Sequence, residues 1–218
     1  MSLLKNLKAP PSLKDMAFQS IKSAILAQKL IPGRIYNEKK LAEELGISKT
    51  PVREALLDLY HKGFVRFIQR RGIQINVLTK KEIKDLYEVR RALEIAIIRN
   101  VAPKLTDENI RKIEIIYEKG KEAIAANDRL GYLRNDREFH NFLANLTDNR
   151  YMISSIENIR DLVDWMGSRV LFRPDLMSER HDEHRKIIIK LRARDIAGSE
   201  HSMEEHIQIT GQTVLELL

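Results

Sequence analysis

No cysteine occurs among the 218 residues, so disulfides, thiolate metal sites and cysteine nucleophiles are all excluded. Six prolines and nine glycines are too few for a collagenous or linker-rich polymer and suit one or two compact domains. Aromatic residues make up only 6%, and no apolar run approaches the ~18 residues of a membrane span, which excludes a membrane protein. The string MSLLKNLKAPPSLKD lacks the basic, apolar and small-residue succession of a secretory signal, so the chain is expected to be cytoplasmic.

Charge is present in quantity and is unevenly placed. Residues 1–78 hold 14 Lys and Arg against 6 Asp and Glu, a balance of +8. Residues 79–218 hold 24 against 25, a balance of −1, so the whole net charge of +7 comes from the first third. Such asymmetry predicts a polyanion-binding domain at 1–78 joined to a near-neutral domain at 79–218.

Helical spacing of Leu13, Ala17, Ile21, Ala24 and Ile25 after Ser12, with Asp15 three residues on, predicts a capped helix that stops by Pro32-Gly33. Asn37 is expected to cap a second helix ended by Gly46, and Thr50 a third, with Pro51 at its first position and its end near His61. From Phe64 the period changes to strand, turn and strand through Val77, with arginines at the hairpin tip. Six helices are then expected near 80–101, 106–127, 129–147, 150–171, 177–194 and 196–217. The fold class is therefore mainly α: a winged helix-turn-helix followed by an all-helical bundle.

In a winged helix-turn-helix the third helix enters the major groove of double-stranded operator DNA. Arg53, one turn into it, has the forked donors that read guanine, with a phosphate clamp as its alternative role. Ser48 and Thr50 can donate to phosphate or a base edge, while Lys39 and Lys49 offer backbone charge or simply a solvated face. Arg71 and Gly72 at the hairpin tip suit a wing entering the minor groove. The string KKLAEELGISKTPVREALLDLYHKGFVRF, preceded by ILAQKLIPGRI, resembles the DNA-binding domain of the GntR family of bacterial transcription regulators. The resemblance implies DNA contact by the corresponding positions. One such module covers limited DNA, so a homodimer on paired half-sites is expected.

In the second domain Asp136 and His140 lie four residues apart, on one helix face with Phe139 and Leu143. An inward carboxylate there needs a cation, and a metal or a buried arginine would each serve. His184 and His206 fall on two later helices that could converge with the first. Asp with three His suits zinc first, with nickel, manganese or iron as alternatives, although isolated histidines also occur as plain core or surface residues. The segments DLYEVRRALE, DREFHNFL, HDEHRKII and MEEHI resemble the FCD ligand-binding domain of the FadR-type GntR subgroup, in its shorter, VanR-like form. The resemblance implies a divalent metal on Asp136, His140, His184 and His206.

Positions left open on such a metal could accept a small carboxylate effector. Arg90 and Arg169 are candidates for a second acidic group or for structural ion pairs, and His181 for a wall or partner of His184. His201 is expected to be exposed. The resulting expectation is a metabolite-responsive regulator, a repressor by preference. A metalloenzyme is the competing class, against which no general base or nucleophile stands out. A constitutive DNA-binding protein with a structural metal is the third.

Overall fold

The Ser12 hydroxyl accepts the Asp15 N–H at 3.1 Å while the Asp15 carboxylate accepts the Ser12 N–H at 3.3 Å, so the first helix, α1 (Leu13–Leu26), opens with a reciprocal cap. It ends earlier than the Pro32-Gly33 breaker, at Ala27. The structure, a computed structural model, describes residues 10–170 and 174–217. It divides into two units, Met1–Val77 and Leu78–Leu218.

In the first unit Asn37 caps α2 (Glu38–Leu45), accepting from the Lys39 N–H at 2.8 Å, and Gly46 closes it in the left-handed conformation at φ 67°. The third helix, α3 (Lys49–His61), begins one residue after Ser48, which occupies the cap position without a side-chain cap bond. This corrects the expectation that Thr50 caps it. Pro51 is therefore third rather than first in the helix, still within the opening turn where no N–H has an intrahelical acceptor. Strands β2 (Val65–Ile68) and β3 (Gly72–Ile75) form the wing hairpin. A two-residue strand, β1 (Ile35–Tyr36), adds to the far edge of β3 in the order β1-β3-β2. Ile21, Ile25, Val52, Leu56, Leu59, Phe64, Ile73 and Ile75 are buried between helices and sheet.

The second unit contains six α-helices among the described residues: α4 (Lys80–Val101), α5 (Asp107–Ala125), α6 (Arg129–Asn145), α7 (Arg150–Val170), α8 (Pro174–Arg192) and α9 (Ile196–Leu217). A single 3₁₀ turn, Ala102–Lys104, follows α4 at Pro103. Thr79 and Thr106 begin α4 and α5 with reciprocal caps, and Asp128, Asn149 and Asp195 accept first-turn N–H groups of α6, α7 and α9. Helix α8 starts at Pro174, three residues before the expected 177, because proline lacks only a donor that a first turn does not use.

Helices α4 and α9 lie against each other, tied by Arg91–Glu204 at 3.0 Å and Arg99–Glu200 at 2.7 Å. At Gly211 a side chain would collide with the Tyr87 ring, so glycine is what lets the two helices approach. Ile97, Ile113, Phe139, Leu143, Ile156, Ile187, Met203 and Ile207 belong to one continuous core. No described helix is long and apolar enough to cross a membrane.

Candidate functional site

Helix α3 turns Thr50, Arg53, Glu54 and Leu57 to one side, the i, i+3, i+4, i+7 spacing of a single face. That face and the wing line a shared groove with Lys39, Lys49, Arg70, Arg71 and Gly72. Ser48 is exposed but does not line it. Lys39 lies 3.6 Å from Glu43, an exposed pair that water screens. Gly72 has φ 118°, and a Cβ there would strike the Tyr36 carbonyl. The close approach that requires glycine is thus one between wing strands, a structural need the sequence reading did not foresee. Arg70, at φ 60°, forms the turn with Gln69 and Arg71.

In the second unit α6 supplies Asp136 and His140, α8 supplies His184, and α9 supplies His206. One potential ligand atom from each lies within 4.8 Å of all the others. His184 Nε2 is 3.3 Å from Asp136 Oδ1 and His140 Nε2 is 3.9 Å from the same oxygen. Phe139 stacks on the His184 ring at 4.3 Å between centroids, fixing its plane. The Nε2 atoms of His184 and His206 are buried without a hydrogen-bond partner. Unsatisfied lone pairs converging beside a carboxylate are what a divalent cation would satisfy, so the donor set fits a metal.

Two carboxylates absent from the sequence expectations complete the arrangement. Glu94 on α4 accepts from His140 Nδ1 in a short bond, and Glu183 on α8 accepts from His206 Nδ1 at 2.8 Å. A proton held at Nδ1 leaves Nε2 as the lone-pair nitrogen, the tautomer a metal needs. Arg90 Nη2 lies 3.3 Å from His140 Nε2, and Arg90 Nε donates to Glu94 at 2.9 Å. Asp136 also meets the buried Arg160 through its other oxygen, so the cation and the arginine readings of this carboxylate meet in one residue. Arg160 further approaches Asp164 at 3.4 Å, and Arg137 joins Asp164 at 2.6 Å and Asp161 at 2.8 Å.

These surroundings fix protonation. Burial alone would raise the Asp136 carboxyl, but Arg160, then His140, His184 and Arg90, hold it well below the ordinary carboxylate range. Burial, followed by Arg160 and Arg90, drives His140 well below its usual value. His184 is pushed down to about 3 by burial and then by His206, and His206 to about 3 by burial and then by Arg90. All three imidazoles are therefore neutral at pH 7, the state that ligates metals.

A cavity of about 50 Å³ opens beside the cluster, walled by Tyr87, Arg90, Tyr132, Asp136, Asp164, Arg180 and His206 with Leu133, Val163, Leu176 and Val214. Of the two arginines expected at an effector, Arg90 lines it and Arg169 does not. Arg169 is half-buried nine residues beyond Arg160 on α7. At 100° per residue that separation puts the two on opposite faces, so Arg160 serves the site and Arg169 does not. His181 is buried but is not in the lining; it stacks on Tyr117 at 3.8 Å with both ring nitrogens unpartnered. His201 is exposed.

Known proteins agree with this architecture. Residues 13–75 match the bacterial regulatory proteins of the gntR family, and residues 85–209 match the FCD domain. The HTH-type transcriptional repressor RspR of Escherichia coli (strain K12) is 23% identical over 220 residues, covering 100% of this chain and 95% of the relative. The gluconate operon transcriptional repressor of Bacillus licheniformis is 28% identical over 170 residues, 75% of this chain and 70% of the relative. The solved structure of E. coli McbR/YncC shares the fold with a TM-score of 0.82 at 22% identity, covering 95% of this chain and 99% of that one. The relatives are transcription regulators and not enzymes, and the chain belongs to the GntR family of bacterial transcription regulators, with a helix-turn-helix domain followed by an FCD domain.

Proposed function

We propose that this regulator is a cytoplasmic, homodimeric repressor whose FCD domain senses a small organic acid at a metal-containing pocket. The observation that carries the reading is the convergence of Asp136, His140, His184 and His206, two with carboxylate-fixed tautomers, on the edge of a cavity. A bound divalent ion, zinc by preference, would supply positive charge for an effector carboxylate. The chain's own residues do the rest. Glu94 and Glu183 hold the imidazole protons away from the ligating nitrogens, Phe139 fixes the His184 ring, and Arg90 offers a guanidinium at the cavity wall.

On the DNA side, Arg53 reads a guanine edge from the exposed face of α3, while Lys39, Lys49, Thr50 and Ser48 hold phosphates and the wing arginines follow the minor groove. The effector alters DNA affinity to the extent that it binds the DNA-competent and incompetent arrangements differently, typically by about 1–3 kcal/mol. The test compares operator affinity with and without effector in the wild type and in a His140→Ala, His184→Ala double variant. Loss of the response with residual DNA binding is expected. A folded, metal-free double variant that still responds fully would show that this pocket is not the sensor. A wild type that binds operator equally at all acid concentrations would instead favour constitutive DNA binding with a structural metal.

A further inference from the structure

Not every charge in the groove between α3 and the wing suits a polyanion. Lys39, Lys49, Arg53, Arg70 and Arg71 line it, but so do two carboxylates, Glu38 and Glu54. An acid there repels phosphates, so each needs a reason to be in the groove. Glu38 has one, because it opens α2, where the helix dipole favours a negative charge. Glu54 does not, being the sixth residue of α3 and past the turn in which the dipole acts.

Helix packing does not employ Glu54 either. It is exposed, and among the described residues no hydrogen bond or ion pair engages its carboxylate. Lys14 on α1, a cation it does influence, is already held by Asp58 at 2.8 Å. The next residue of the same face, Leu57, is apolar and offers no competing partner.

The major groove of DNA offers a carboxylate one kind of partner, the exocyclic amines of cytosine N4 and adenine N6. Adenine N6 stands beside N7, whose lone pair repels a carboxylate, whereas cytosine N4 stands beside a C–H, so a carboxylate selects cytosine. Glu54 follows Arg53 directly, which puts their Cα atoms about 3.8 Å apart with side chains diverging by about 100°. That separation widens toward the side-chain ends and exceeds the roughly 3.4 Å rise between base pairs, so the two heads fall on neighbouring pairs.

We propose that Glu54 is a specificity-determining residue, accepting from the N4 amine of a cytosine in the base pair next to the guanine read by Arg53. This rests on the reading of α3 as the major-groove helix and adds a second base to what that helix recognises.

The experiment uses the full-length protein and a randomised pool of duplex DNA. Wild type, Arg53→Ala, Glu54→Ala and Glu54→Gln each select binding sites, which are sequenced and then titrated. Wild type is expected to enrich two neighbouring G·C pairs, of which Arg53→Ala relaxes one and Glu54→Ala the other. Glu54→Ala is expected to lose about tenfold on the wild-type site. It should also bind unselected DNA more tightly, because a repulsive charge is gone. Glu54→Gln, which keeps the side-chain shape, is expected to exchange its G·C pair for A·T, since an amide meets adenine N6 and N7 together. A purely structural role would move stability or affinity but not the identity of a selected base. Wild-type selection by both Glu54 variants, or an A·T pair at the position that Glu54→Ala relaxes, would overturn the proposal. A G·C pair lost only in Arg53→Ala would in that case leave the reading of α3 standing. A wild-type pool that enriches no sequence would overturn both.

Discussion

The two units handle charge in opposite ways. In the first, Lys39, Lys49, Arg53, Arg70 and Arg71 are exposed along a groove. In the second, Arg90 and Arg160 are at most 1% exposed, and each is fixed by carboxylates. Exposed cations act by displacing counterions from a polyanion, so their work depends on salt and tolerates small movements. Buried ones act through fixed geometry in a poorly screened interior, where salt matters little and a lost partner matters greatly. The contrast explains how a chain of net charge +7 keeps a near-neutral FCD domain without diluting the charge of its helix-turn-helix domain.

Asp136→Ala tests the buried side hardest. It strips Arg160 of its closest partner, and urea unfolding of metal-free protein should show a loss of about 3–5 kcal/mol. A loss below ~1 kcal/mol, the range of an exposed pair, would erase the contrast.

Acid gives the next effect, also confined to the second unit. His184 and His206 titrate at about 3 when folded, against ~6.5 in an unfolded chain. The unfolded state takes up protons first, so the stability these residues contribute is complete above about pH 6.5 and is lost as pH falls toward 3. Chelator-treated protein should therefore melt at lower temperature at pH 5 than at pH 7. Equal melting at both would show that the two rings are not held neutral.

Smaller changes sharpen the comparison. Glu183→Gln leaves all four ligands in place but loosens the His206 tautomer, and metal affinity by competition titration should fall about 10–100-fold. On the exposed side, Arg53→Ala should cost about 1–3 kcal/mol on operator DNA and less on random DNA. Equal losses would make Arg53 a phosphate clamp. Lys39→Ala should weaken both DNAs alike and lower the salt slope by about one counterion; an unchanged slope would remove Lys39 from the interface.

Much of the architecture was legible because its signals are local. Ser12, Asn37 and Gly46 mark helix ends through bonds that span two to four residues. Asp136 and His140 share a face through the helical repeat alone. Strand β1 leaves no alternation to read in two residues, and Ser48 and Thr50 are both cap-type residues, of which Pro51 favours the later in the sequence while the helix starts after the earlier. Glu94, Glu183 and Arg160 reach the site across helices, and spacing within one helix carries no information about such partners. Arg169 shows the same limit: only the face that α7 turns inward decides between it and Arg160.

The pairing of α4 with α9 has a consequence for how the protein comes into being. The core of the first unit, Ile21, Ile25, Val52, Leu56, Phe64 and Ile73 among it, is built from residues before 78, so it can fold as soon as that stretch is free. The second closes only when Gly211 settles against Tyr87 and Glu204 against Arg91, partners more than a hundred residues apart. Such distant closures are late and slow. During synthesis, which proceeds from the amino terminus, the helix-turn-helix domain is therefore complete before the FCD domain. A truncated product lacking α9 would keep the head, lose His206 from the cluster and leave the face of α4 uncovered.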